Sequence, residues 1–158
     1  MPDQQDTPNA YVRPAIEQDV EWLASRLRQA DIDEIDAYAG ITPLEALSEG
    51  YKRSTKCFTG ICEDDPFILF GAVPVTEGAG AVWLLGSDGI NKARMPFLRQ
   101  SKEWLEVLHE DFPLLFNYVD ARNTVHIRWL RWLDFKFINL HHQFGVGQLP
   151  FYEFVRII

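Results

Sequence analysis

Residues 114–135, LLFNYVDARNTVHIRWLRWLDF, constrain the fold more than any other stretch of the chain. An apolar and aromatic run gives way to residues at helical spacing and then to a second apolar run, which predicts strand, helix and strand in succession. Asn123 stands where a favoured N-cap belongs, its side-chain oxygen expected to accept a bond from a backbone N–H one turn in. At about 100° per residue, Leu130, Leu133, Ile127, Trp129, Val125 and Trp132 fall around His126, and Thr124, Arg128 and Arg131 on the opposite arc. A histidine in the middle of an apolar face is either a hydrogen-bonded core residue or a group aimed into a pocket. In the second case its pKa suits proton transfer.

A chain of 158 residues is expected to form one domain, residues 11–158, burying about 70% of its unfolded surface without disulfides or metals. Residues 1–10 are polar and read as a flexible tail, without the apolar run of a signal peptide. The longest apolar stretch, residues 66–75, falls well short of the roughly 20 residues that span a bilayer. A protein that is soluble, not secreted and away from membranes is expected. Cys57 and Cys62 are an odd number of positions apart in a predicted strand and so point to opposite faces, where they cannot easily pair.

The formal charge of −8 is unevenly placed: residues 1–50 carry 11 acids against 3 bases, and residues 51–158 carry 12 of each. An acidic surface repels phosphate backbones, which argues against nucleic-acid binding and favours a basic partner or an amine substrate. The other reading is a solvated face of surface helices.

Residues 11–13 read as a short strand, and Val20, Leu23, Ala24 and Leu27 recur beyond Pro14 at helical spacing. An acidic helix is expected over residues 31–38, ending at Gly40. Thr42, Pro43 and Glu45 form the pattern of a capping box with Pro in the first turn, so another helix should run to about Arg53. Residues 56–62, 67–75 and 81–85 are separated by turn-forming segments and predict an antiparallel three-strand meander. Phe97, Leu98, Ser101, Trp104, Leu105 and Leu108 define one face of a helix over residues 94–109. Residues 150–158 are apolar on both faces and should form a strand inside the sheet.

The order strand, helices, three antiparallel strands, helix, strand, helix, strand and strand resembles the GNAT family of N-acetyltransferases over nearly the whole chain. That resemblance implies an α/β (α+β) architecture, a mixed and mostly antiparallel sheet with helices on both faces. In the family's later motif an Asn opens a helix, a Tyr follows seven residues on, and Gly-Phe closes it at the eleventh and twelfth positions. Asn123 and Phe135 fall on that pattern, but Leu130 stands in place of the Tyr that often serves as general acid, and Asp134 in place of the Gly. Asp tolerates a left-handed cap; Leu donates no proton.

The family's Gly-rich loop cradles the coenzyme A pyrophosphate on backbone N–H groups at the start of the central helix. The corresponding segment here is GSDGINKARMP, residues 86–96. Gly86 and Gly89 would leave the backbone accessible, with Ser87, Lys92 and Arg94 to assist an anion. The glycine spacing departs from the family's, Asp88 would repel phosphate and Pro96 lacks an N–H.

FNYVDARNTVHIRWLR at 116–131 and VWLLGSD at 82–88 resemble the internal virion protein family of short-tailed phages, and residues 148–158 are compatible with it. This resemblance spans about the C-terminal half. It implies a phage protein of the host cytoplasm or the virion, and it does not imply catalysis.

Two functions follow. In the first, a GNAT-like scaffold without a cofactor serves as an interaction module whose acidic N-terminal helices bind basic virion or assembly proteins. In the second, an acetyl-coenzyme A-dependent N-acetyltransferase positions a cationic amine, with residues 31–36 attracting it, His126 or a water accepting its proton, and Gly86, Ser87, Gly89 and Asn123 near the cofactor. No metal site is expected: His141 and His142 are adjacent, read as loop residues, and no carboxylates accompany them at ligand spacing.

Overall fold

The computed structural model describes residues 9–158, apart from the side chains of Lys92, Arg94, Met95 and Pro96. Most of the N-terminal tail expected over residues 1–10 thus lies outside the described residues, as do the side chains of two anion-assisting candidates, Lys92 and Arg94. Seven strands form one sheet in the order β1-β2-β3-β4-β5-β7-β6. Along the chain come β1 (Ala10–Pro14), α1 (Glu17–Ala24), α2 (Gln29–Ala39), α3 (Pro43–Arg53), β2 (Lys56–Cys62), β3 (Asp65–Thr76) and β4 (Ala79–Gly86). There follow α4 (Ile90–His109), β5 (Leu114–Asp120), α5 (Thr124–Trp132), β6 (Lys136–Phe144) and β7 (Leu149–Ile157). All pairings are antiparallel except β4 with β5.

The period-2 alternation of β3 divides the core between the two faces of the sheet. Ile68, Phe70 and Ala72 join Phe97, Leu105 and Trp129 in one cluster, and Leu69 joins Val20, Leu23 and Leu47 in the other. The two cysteines separate in the same way, Cys62 in the first cluster and Cys57 against the second. Burial pushes the Cys57 thiol up to about 12, far from a reactive thiolate. β7 is interior, between β5 and β6, as its apolar faces require.

Local signals hold at several helix ends. Thr42 Oγ1 accepts from the Glu45 N–H at 3.2 Å and the Glu45 carboxylate accepts from the Thr42 N–H at 3.4 Å, closing the capping box of α3. Asp134 takes φ 67°, and the Asp134 and Phe135 amides donate to the Arg131 and Leu130 carbonyls, the two bonds of a Schellman ending. The apolar periodicity extended the first helix to Leu27, but α1 ends at Ala24 and Leu27 instead bridges to Ser87. His141 and His142 are not loop residues: both lie in the edge strand β6, where His141 pairs with Glu153 at 2.9 Å.

β4 and β5 pair only through Ala79, Gly80 and Ala81 opposite Leu114, Leu115 and Phe116. Asn117 Nδ2 then donates to the Val82 carbonyl at 2.7 Å, and beyond that bond the strands part. The sheet opens there into a V. The turn between β6 and β7 closes one side of it, its Val146 and Gly147 amides donating to the last carbonyls of α2 at Tyr38 and Ala37.

Candidate functional site

Where two strands part, each loses a ladder partner, and buried amides must be satisfied otherwise. Two residues of α2 do this here. Asp31 and Glu34 are three positions apart and so share a helix face. Asp31 Oδ2 accepts from the Gly86 amide at the end of β4 at 3.0 Å, and Glu34 Oε1 accepts from the Asp120 amide at the end of β5 at 2.8 Å. Asp31 is 1% exposed, so its charge needs a partner. Arg28 donates to Asp31 Oδ1 at 2.9 Å and to Asn123 Oδ1 at 3.1 Å, while Asn123 Nδ2 returns a bond to Asp31 Oδ1 at 3.1 Å.

Asn123 is therefore not the side-chain cap that its position suggested. It makes no cap bond, and its buried amide is consumed by this triangle across the V. Asp120 is anchored separately by Arg122 at 2.7 Å.

His126 enters the same place from α5. Its ring nitrogen and the carboxylate oxygens of Asp31 and Glu34 all lie within 4.8 Å of one another. The nearest sequence clue was the (i, i+3) acidic pair in α2, but nothing local linked it to a histidine at the other end of the chain. The Nδ1 atom of His126 is buried and has no hydrogen-bond partner among the described residues. Burial lowers the imidazole to about 4, against an opposing pull from Asp31, so it is neutral at pH 7 and a weaker proton acceptor than its residue type suggests. Burial, then the charge of Asp31, raises Glu34 to about 8, so this carboxyl is largely protonated at pH 7.

The V opens on the α2 and α3 side into a cleft of about 380 Å³, lined by Glu34, Tyr38, Glu49, Arg53, Trp83 and Tyr118, with His126 at its floor. On the α4 and α5 side the space is different. A gap of about 60 Å³ remains among Phe97, Trp104, Trp129 and Phe135, with the Phe97 and Trp129 rings packed edge to face at 4.9 Å. A second, shallower space of about 210 Å³ lies between α4 and α5 beside Trp132 and Arg128.

The loop before α4 uses its own donors. The Gly86 amide is held by Asp31, the Ser87 amide by the Phe67 carbonyl at 2.9 Å, and the Gly89 amide by Ser87 Oγ at 3.1 Å. The Ile90 and Asn91 amides donate to the Ser87 and Asp88 carbonyls, both at 3.1 Å. Gly86 and Gly89 both stand in close packing: a Cβ at either would meet Phe67 at 3.0 or 3.1 Å. Of the sequence candidates, the structure gathers His126, Asn123 and the Gly86 amide around Asp31, and of these His126 lines the cleft.

A mixed sheet splayed between a parallel β4 and β5, with helices on both faces, is the fold of the GNAT N-acetyltransferases. Ard1 from Thermoplasma volcanium superposes with a TM-score of 0.70 at 13% identity, over 94% of this chain and 97% of that one. An acetyltransferase of the GNAT family from Streptococcus pneumoniae gives 0.66 at 12% identity, over 95% and 99%. Spermidine N-acetyltransferase from Vibrio cholerae, in complex with coenzyme A and spermine, gives 0.65 at 10%, over 94% and 95%. In sequence, residues 68–142 match a phage family described as "Bacteriophage T7, probable scaffold protein Gp13". That span runs from β3 to β6 and contains the phage-like VWLLGSD and NTVHIR segments. No curated protein matches the chain. No helix among the described residues is long and apolar enough to cross a membrane.

Proposed function

We propose that this protein is a phage assembly or virion-associated component that uses the GNAT scaffold as a binding module without acetyl transfer. The observation that carries the reading is the loop before α4, whose amides bind Asp31, Phe67 and Ser87 within the chain. A pyrophosphate needs such donors unpaired, so these residues do not fit coenzyme A. The α4 and α5 side of the V offers spaces of about 60 and 210 Å³, each below the roughly 300–1,000 Å³ of ordinary ligand sites. Leu130 in place of the family's Tyr adds to it. The phage match over residues 68–142 supplies the context.

The partner surface is the acidic face of α1 to α3, where Glu17, Glu21, Asp33, Asp36, Glu45 and Glu49 stay exposed after Asp19 and Asp31 turn inward. It suits a basic virion or assembly protein. A second reading, N-acetylation of a cationic amine, is favoured by the cleft of about 380 Å³ with Glu34 and Glu49 in its wall. Thermal denaturation with acetyl-coenzyme A separates the two. A ligand at a hundred times its dissociation constant stabilises by about 2.7 kcal/mol. The expected outcome is no shift at millimolar concentration; stabilisation of that size, with acetyl transfer to spermidine or a lysine peptide, would reverse the conclusion.

A further inference from the structure

We propose that Asp31, Glu34 and His126 form a site for a divalent transition-metal ion of the zinc type beside the cleft, clipping α2 to α5. One imidazole nitrogen and two carboxylate oxygens gathered within 4.8 Å of one another are a donor set that suits Zn²⁺ or Mn²⁺. Ca²⁺ and Mg²⁺ call for six or more oxygens. Ligands held about 2.1 Å from a tetrahedral zinc lie about 3.4 Å apart, so closure needs little more than about 1 Å of movement. The flexible side chain of Glu34 can supply most of it.

A second observation falls on the same imidazole, whose Nδ1 is buried and without a partner among the described residues. A buried polar atom left unpaired asks for a cause, and an ion is one. The carboxylates are already oriented as a metal site requires, Asp31 by the Gly86 amide, Arg28 and Asn123, and Glu34 by the Asp120 amide. Glu34 and His126 line the cleft, which gives an ion entry and leaves room for water, with the buried Asp31 behind them. Arg28 neutralises part of the negative charge, so the site is weaker than a closed structural zinc centre. This inference concerns the α2 side of the V and does not depend on whether the α4 side holds a cofactor.

The test is calorimetric titration of the full chain, purified in chelator and exchanged into metal-free buffer, with Zn²⁺, Mn²⁺ and Mg²⁺ in turn. One Zn²⁺ per chain is expected, with a rise in Tm, and no Mg²⁺ at the same concentration. His126→Ala and Glu34→Gln should each weaken Zn²⁺ at least about tenfold, while the double variant His141→Ala/His142→Ala should bind as before. Circular dichroism checks that each variant is folded, and Glu34→Gln keeps the acceptor for the Asp120 amide should His126→Ala fail to fold. Absence of Zn²⁺ binding by the parent chain, or a single equivalent that survives both His126→Ala and Glu34→Gln, overturns the proposal.

Discussion

Glu34→Gln should stabilise the protein at alkaline pH and remove the fall in stability between pH 6.5 and 8. Burial and the neighbouring Asp31 raise the Glu34 carboxyl from 4.5 to about 8 in the folded chain. The native state then keeps a proton that the unfolded chain releases, so the contribution to stability is complete below pH 4.5 and is lost as pH rises to 8. At about 1.4 kcal/mol per pH unit the whole interval is worth about 5 kcal/mol. Glu34 is half-buried at the wall of a cleft open to water, and solvent screening brings the expectation to about 2–3 kcal/mol. His126 acts in the opposite sense. Its folded value of about 4 against 6.5 means that stability grows as pH rises through that window. The two slopes cancel from 4.5 to 6.5, leaving Glu34 alone between 6.5 and 8. Gln keeps an oxygen for the Asp120 amide, now at 2.8 Å from Glu34, and has no proton to lose. Urea unfolding of both proteins at pH 6 and pH 8.5, in chelator, measures the difference. Only the part of the interval from pH 6 to 8 is sampled, so the parent should lose about 1–2 kcal/mol more than the variant between the two pH values. Equal losses would refute the argument, because Glu34 would then be ionised throughout.

Three further substitutions probe the packing around the V. Asp31→Ala should cost about 3–5 kcal/mol in urea unfolding, because it strands a largely buried Arg28 guanidinium; a loss under about 1 kcal/mol would mean that Arg28 is solvated. Trp129→Ala should cost about 3–5 kcal/mol by the same assay, since its ring is 8% exposed and packs on Phe97; a loss within about 0.5 kcal/mol would place the ring outside the core. Gly50→Ala puts a Cβ 2.6 Å from the Trp83 ring, whose indole N–H donates to Ser54 Oγ at 2.7 Å. Overpacking of about 1–3 kcal/mol and a shifted tryptophan emission are expected, and unchanged emission would argue against that contact.

The elements legible in the sequence are those whose signals are local. Thr42 and Glu45 sit close enough along the chain to satisfy each other, Asp134 supplies a left-handed ending where the helix must stop, and the apolar faces of β7 require an interior place in the sheet. The order of elements followed from the succession of periodicities, and the mixed sheet from the resemblance of that order to the GNAT family. The site was less legible because its determinants are tertiary. Asn123 has the residue type of a cap, yet its side chain is claimed by Arg28 and Asp31 from the other end of the chain. Within the acidic run of α2, Asp33 and Asp36 are solvated as expected while Asp31 is buried; composition does not separate them, and only the position of the Gly86 amide does. His126 was recognised as a choice between core and pocket, but the carboxylates that decide its surroundings have no sequence spacing to it. His141 and His142 went unrecognised as strand residues because β6 is an edge strand with irregular register to β7, which blurs period-2 alternation.

The acidic pair of α2 and the departures in the loop before α4 have one physical origin. Parting β4 from β5 leaves amides without strand partners, and an enzyme of this fold gains from that vacancy when a ligand takes the donors. Here Asp31 takes the Gly86 amide and Glu34 the Asp120 amide, so the chain's own carboxyl groups occupy both donors. A buried ion pair gains little net stability over apolar packing. Its consequence is register: α2, the end of β4 and the start of α5 are tied at one point, in the half of the V where no ladder bonds hold them. On the binding role proposed above, this tie would hold the acidic helical face at a constant angle, and a partner that docks on α1 to α3 would meet a surface already ordered, with less conformational entropy left to lose on binding.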